Sequence, residues 1–143
     1  MSYHKTEIIS DFPADKLFEL VLDIESYPIF LPWCKSAKIL KRKNNIIIAD
    51  LVIEFKNICE SYTSKVIFNR SDSIDVEMIE GPFKFLLNKW RFSQTDDGKT
   101  LLYFEIDFQF NSIILEALIG IFFDRAVEKL ACAFLQRADI LFK

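Results

Sequence analysis

What this chain has little of narrows its chemistry first. Of 143 residues, three are glycine, three cysteine, four proline and one histidine. So few glycines exclude a glycine-rich phosphate cradle, which needs backbone N–H groups unscreened by side chains. His4 lies near the start of the sequence, where a surface position is the expectation. Together with the scattered Cys34, Cys59 and Cys132 it gives no ligand-pair spacing for a metal. No serine sits in a G-x-S-x-G elbow, and Cys34 follows Trp33 with no histidine nearby in sequence to activate it. Glu105 and Asp107 stand two apart, on the outward side of their strand. The expectation is a protein that is not an enzyme, with no metal and no resident cofactor.

Compartment follows from further absences. An odd number of cysteines without a CxxC pair reads as reduced thiols in a cytosol-like environment. The segment Met1 to Glu7 lacks the apolar core of a signal peptide and the arginine-rich character of a transit peptide. The apolar run Ala117 to Phe123 is far shorter than the ~20 residues a bilayer-spanning helix needs. A cytoplasmic protein, at most peripheral to the inner membrane, is expected. A formal charge of −3 argues against sequence-independent nucleic-acid binding by the surface as a whole, and no DNA partner is expected.

Apolar bulk is what the chain does have. It is 51% hydrophobic and holds fifteen phenylalanines. From Asn111 to Lys143 there is no proline, Asn111-Ser112 can cap a helix, and the polar residues trace one narrow stripe. A long helix that is apolar over most of its circumference is predicted, and such a helix must be enclosed. The reading for the other residues is a first strand over Tyr3 to Ile9, a helix from Ala14 to about Asp23, and at most one helical turn between Pro28 and Pro32. Between Ala37 and Phe110, turn signals at Asn44-Asn45, Lys56-Asn57, Asn69 to Ser73, Gly81-Pro82 and Asp96 to Gly98 mark out six hairpin-connected strands. Leu102, Phe104, Ile106, Phe108 and Phe110 share one strand face, and so do Ile47, Ala49, Leu51, Ile53 and Phe55. The sheet therefore has one greasy face, and the final helix is the only element long enough to cover it. The fold class is α+β: one domain over residues 1–143, a curved antiparallel sheet wrapped around its last helix.

Two features carry functional weight. The first is the surplus of apolar and aromatic side chains around the proline pair and on the inner face, which either fills a core or walls a cavity. A ligand burying ten or so carbons there gains ~8 kcal/mol gross, before association costs. The second is the run Lys35, Lys38, Lys41, Arg42 and Lys43, which contains no acid. It suits anionic lipid head groups or ribosomal RNA, or it guards an edge strand against pairing with other chains.

The strings Tyr27-Pro28-Ile29-Phe30-Leu31-Pro32-Trp33-Cys34 and Gly81-Pro82-Phe83-Lys84, the latter followed by Trp90-Arg91-Phe92, resemble the coenzyme-Q-binding branch of the START-like superfamily. That branch includes the ribosome-association toxins of the RatA type. The resemblance covers the whole chain and implies a helix-grip fold, in which seven antiparallel strands hold the C-terminal helix over an elongated cavity. It implies ubiquinone, or another polyprenyl quinone, as the bound ligand of a carrier supporting respiration. Tyr27, Pro28, Phe30, Leu31, Pro32 and Trp33 would form the mouth, Gly81, Pro82 and Phe83 a gating turn, and Trp90 and Phe92 the inner wall. Strand alternation and the final helix add Phe104, Phe108, Phe110, Phe122 and Phe123 as wall candidates. Transient membrane-surface contact fits such a carrier. The alternative reading is a toxin that binds the large ribosomal subunit and blocks subunit joining through the Lys35–Lys43 cluster. A weaker alternative is an enzyme like the polyketide cyclases, which would need an ionisable group inside, with Glu60 or Tyr62 the first candidates.

Overall fold

In the computed structural model, which describes residues 2–143, the chain runs β1 (Ser2–Ser10), α1 (Ala14–Leu22), a single 3₁₀ turn (Ile24–Ser26), α2 (Tyr27–Phe30), β2 (Cys34–Lys43), β3 (Ile46–Phe55), β4 (Ile58–Asn69), β5 (Ser73–Glu80), β6 (Phe83–Gln94), β7 (Thr100–Phe110), α3 (Ile113–Glu128) and α4 (Leu130–Phe142). All seven strands form one antiparallel sheet in the order β1-β7-β6-β5-β4-β3-β2. β2 to β7 are a plain meander. β1 returns from the start of the chain to pair with β7, with Ser2 opposite Phe108.

The turns lie where the sequence marks them. Asn44, Lys56, Asn57, Ser71 and Gly98 all take positive φ, which lets two-residue and slightly longer hairpins match the sheet's twist. Gly81 also has positive φ, +153°, and a Cβ there would stand 2.4 Å from the Cβ of Tyr62. Only glycine fits both the backbone and the gap.

One face of the sheet is apolar throughout. Leu102, Phe104, Ile106, Phe108 and Phe110 are all buried, as are Ile47, Ala49, Leu51 and Ile53. α1 covers one part of that face, with Phe18 wholly buried and edge-on to Phe68 and Phe92. α3 and α4 cover the rest. Ser112 caps α3 by accepting from the Leu115 N–H at 3.2 Å, and Asn111 ties the turn back to the Pro82 carbonyl at 2.9 Å.

Three expectations need correction. The C-terminal helix is not continuous: it breaks at Lys129 (φ −101°, ψ 6°), whose N–H reaches back to the Ala126 carbonyl in a tighter turn. The inward stripe nevertheless runs through the break, as Ile119, Phe123, Val127, Leu130, Phe134 and Ala138. α3 leans on β7, β1 and β3 while α4 leans on α1, so the change of direction lets each half follow its own partner. Nor is the helix enclosed. Ile113, Ile114, Leu118 and Ile121 are 50–89% exposed, leaving an apolar outer face on α3. His4 also departs from the surface reading: its ring nitrogen meets Asp124 at 2.8 Å with only 20% of the side chain exposed, joining β1 to α3.

Candidate ligand-binding site

Between the sheet and the two C-terminal helices lies a cavity of about 70 Å³. α1 and the turn after it supply Val21 and Ile24, the proline segment supplies Tyr27, Leu31 and Trp33, and the helices supply Phe123, Val127, Leu130 and Phe134. The strands contribute Leu51, Tyr62, Ser64, Val66, Ile74, Val76, Leu86, Asn88, Trp90 and Ile106. Each strand residue sits at every second position, so the pleat alone delivers it to the wall.

The Pro28–Pro32 segment fulfils the expected single turn. Pro28 sits at the start of α2 and the Leu31 N–H closes onto the Tyr27 carbonyl at 2.9 Å. Tyr27 rests edge-on against Phe30 and Phe134, and its hydroxyl donates to the Val21 carbonyl. Trp33 stacks on Phe55 at 6.3 Å and meets Phe123 edge-on. Leu31 and Trp33 have two sides. They also line a groove of about 340 Å³ on the outer surface, shared with Phe30, Pro32, Ala126, Lys129, Ala133 and Gln136.

Of the candidates read from sequence, Tyr27, Leu31, Trp33, Trp90 and Phe123 line the cavity, while Phe30 and Pro32 face the outer groove. Pro28 is half-buried and lines neither. Phe83, Phe108 and Phe110 pack with Phe123 as a solid aromatic block under α3, with centroids 4.7 to 6.2 Å apart. Phe104 backs Trp90 at 4.7 Å. Phe92 belongs to the packing beneath α1. Phe122 turns away from the interior and lies under the Lys56 ammonium, 4.7 Å from the ring centroid. Phe83, Phe92, Phe104, Phe108 and Phe110 thus build the core beside the cavity instead of its wall, because strand parity fixes the face a side chain takes but not its depth along a twisted strand. The Gly81-Pro82 turn is tied down by Asn111 and by Phe83 stacked on Phe110, and neither Gly81 nor Pro82 lines the cavity.

Sequence reasoning missed the polar points. Asn88 is buried on the inner face, donating to the Glu105 carbonyl at 2.9 Å and accepting from the Trp90 indole at 3.0 Å. Ser64 lies 3.5 Å from the Ala49 carbonyl. Both share parity with recognised wall residues, Trp90 and Tyr62, and that was the available signal. Tyr62 is 9% exposed, with its ring edge-on to Phe83 at 5.6 Å. Its hydroxyl has no hydrogen-bond partner among the described residues. Burial pushes the Tyr62 and Tyr27 phenols well above the ordinary tyrosine range, so both stay protonated. Burial likewise raises the Cys34 thiol to about 11. Glu60 is half-exposed and does not reach the cavity. No group of His, Cys, Asp and Glu among the described residues could hold a metal, and no helix among them is long and apolar enough to cross a membrane.

The cationic run occupies β2, an edge strand with two bulges, at Cys34/Ser36 and Ile39/Lys41. Lys35 meets Glu54 at 3.8 Å, whereas Lys38, Lys41, Arg42 and Lys43 make no ion pair among the described residues.

A seven-stranded sheet gripping C-terminal helices over an apolar cavity defines a helix-grip protein of the START-like kind. Residues 10–135 match the family described as polyketide cyclase / dehydrase and lipid transport, and the chain belongs to it, in the branch that holds RatA and coenzyme Q-binding proteins. The ribosome association toxin RatA of Rickettsia prowazekii is 42% identical, with 100% of this chain and 99% of the relative aligned. The mitochondrial coenzyme Q-binding protein COQ10 homolog B of Xenopus laevis is 28% identical over 99% of this chain and 59% of its own length. Among solved structures, an 18 kDa protein of Caulobacter crescentus is 34% identical and superposes with a TM-score of 0.74, covering 99% of this chain and 98% of that one.

Proposed function

We propose that this protein binds a prenyl quinone of the ubiquinone type and carries or shelters it for respiratory electron transfer, without transforming it. The observation that carries the reading is the cavity itself: an almost wholly apolar enclosure whose ionisable wall groups are two phenols held protonated. No carboxylate, lysine or histidine lines it to move a proton, which supports binding over catalysis; of the cyclase-like alternative's two candidates only Tyr62 reaches the cavity. The COQ10 relative, whose name records coenzyme Q binding, supports the choice of ligand. At about 70 Å³ the space is smaller than the ~150 Å³ cavity known to admit benzene, so loading a ring requires the wall to yield. Leu31 and Trp33 are where it can do so, since they lie between cavity and groove. Organic extraction of gently purified protein from a quinone-producing host, followed by mass spectrometry, should recover prenyl quinone in near-stoichiometric amount. Its absence removes this reading.

A second reading has its own support. The 42% identity to a RatA protein over full length, together with the unpaired cations on β2, favours contact with the large ribosomal subunit. Overexpression would then deplete joined ribosomes in sucrose gradients, and Lys38→Glu with Arg42→Glu would restore them. Unchanged profiles with the native protein remove it. The two readings use different surfaces, so one protein can satisfy both.

A further inference from the structure

One hydroxyl on the cavity wall has no partner among the described residues. Asn88 spends its amide on the Glu105 carbonyl and its oxygen on the Trp90 indole. Tyr27 spends its hydroxyl on the Val21 carbonyl, and Ser64 faces the Ala49 carbonyl. Tyr62 is as deeply buried as Asn88, yet its hydroxyl is unpaired among the described residues, on a wall that is mostly hydrocarbon. Covering that free donor with a hydrocarbon chain would bury it unpaired, at a cost. An oxygen acceptor removes it.

The backbone holds Tyr62 in that attitude. A Cβ at position 81 would stand 3.0 and 2.4 Å from the Cα and Cβ of Tyr62, so the bare glycine is what leaves room for the tyrosine there, and Phe83 braces the ring edge. The tyrosine is therefore fixed before any ligand arrives, which is what a directional contact needs.

We infer that the ligand enters head first, a ring carbonyl accepting a hydrogen bond from the Tyr62 hydroxyl, while its chain leaves past Leu31 and Trp33 into the groove between α2 and α4. This deepens the quinone reading and rests on it. It is the orientation the volumes favour: at about 70 Å³ the wall must yield even for the ring, so the chain has to lie elsewhere. Leu31 and Trp33 are the two residues common to cavity and groove, and small Ala126 and Ala133 leave that groove open on the helix side. Tyr62 is thus assigned as the residue that distinguishes a carbonyl-bearing lipid from a plain hydrocarbon.

The chain's two tryptophans, Trp33 and Trp90, both line the cavity, so their emission reports occupancy directly. The full chain is titrated with a short-chain ubiquinone and with a prenyl hydrocarbon of equal chain length that has no oxygen. Tyr62→Phe should weaken quinone binding about tenfold, the worth of one hydrogen bond in a dry site, and leave hydrocarbon binding unchanged or tighter. The infrared carbonyl stretch of the bound quinone should lie below its free value in the native protein and return toward it in Tyr62→Phe. Ala133→Trp, which fills the groove, should weaken a long-chain quinone more than a tail-less one. Unchanged quinone affinity in Tyr62→Phe, or an equal loss for the hydrocarbon, overturns the carbonyl contact while the lipid-binding reading survives. Equal effects of Ala133→Trp on both chain lengths overturn the exit route. A native protein that binds neither titrant ends the lipid reading and this inference together.

Discussion

Gly81 is the position where one added methyl group does the most damage. Positive φ already disfavours any other residue, and the gap to Tyr62 admits no Cβ. Gly81→Ala should cost about 2 kcal/mol or more, read as a lowered urea midpoint with an unchanged slope. Tyr62 will shift with it, so quinone affinity should fall as well. The three thiols should separate cleanly under a small alkylating reagent. Cys132 is exposed and reacts first. Cys59 is exposed too, but its hydrogen bond to the Glu54 carboxylate at 3.1 Å raises the thiol and slows it. Cys34 is buried and held near 11, so it should react only when the protein unfolds. Reaction of Cys34 at the rate of Cys132, followed by peptide mass mapping, would show that the proline segment opens readily.

Among the helices and strands, Phe123 joins the two halves of the interior. Its ring touches Trp33, Phe55, Phe83, Phe108 and Phe110, so it belongs both to the cavity wall and to the aromatic block. Phe123→Ala should destabilise by about 3–5 kcal/mol and enlarge the cavity, checked by denaturant unfolding and by uptake of a small apolar probe such as benzene. The strands themselves were legible because each carries a period of two and a turn residue with a reason to be there, as Asn44, Asn57 and Gly98 show. The break at Lys129 was not. Neither glycine nor proline marks it, and it arises from where α3 and α4 find their partners, which no local pattern encodes. Cavity wall and solid core divided for the same reason: Trp90 and Phe92 share a face and a motif, but the twist carries one to the cavity and the other beneath α1. The recognised motif strings held Tyr27, Leu31, Trp33 and Trp90 of the cavity wall, and said nothing of Asn88 or Ser64, whose polarity gave no hint of an inward place.

For the molecule as a whole, acid is the expected weakness at the seam between β1 and α3. Burial alone would raise Asp124, but the His4 hydrogen bond, one from Ser2 and the attraction of His4 outweigh it, leaving the carboxyl below its usual range. A depressed folded-state value means the folded protein binds fewer protons, so this contribution is complete above the ordinary aspartate range of ~3.9 and fades as the pH falls through the folded value. Asp124→Asn should therefore be less stable near neutrality and lose less stability than the native protein on acidification below pH ~4, measured by urea unfolding across that range.

The pairing of β1 with β7 also fixes an order of events during synthesis. Ser2 lies opposite Phe108, so the first strand emerges from the ribosome with no neighbour and waits for roughly a hundred further residues to be added. At ~5–20 residues per second that is a delay of several seconds or more, during which Tyr3 and Ile9 sit on an unpaired ribbon. Closing the sheet is consequently a late act, and the nascent chain is at its most vulnerable to sticking just before β7 is finished.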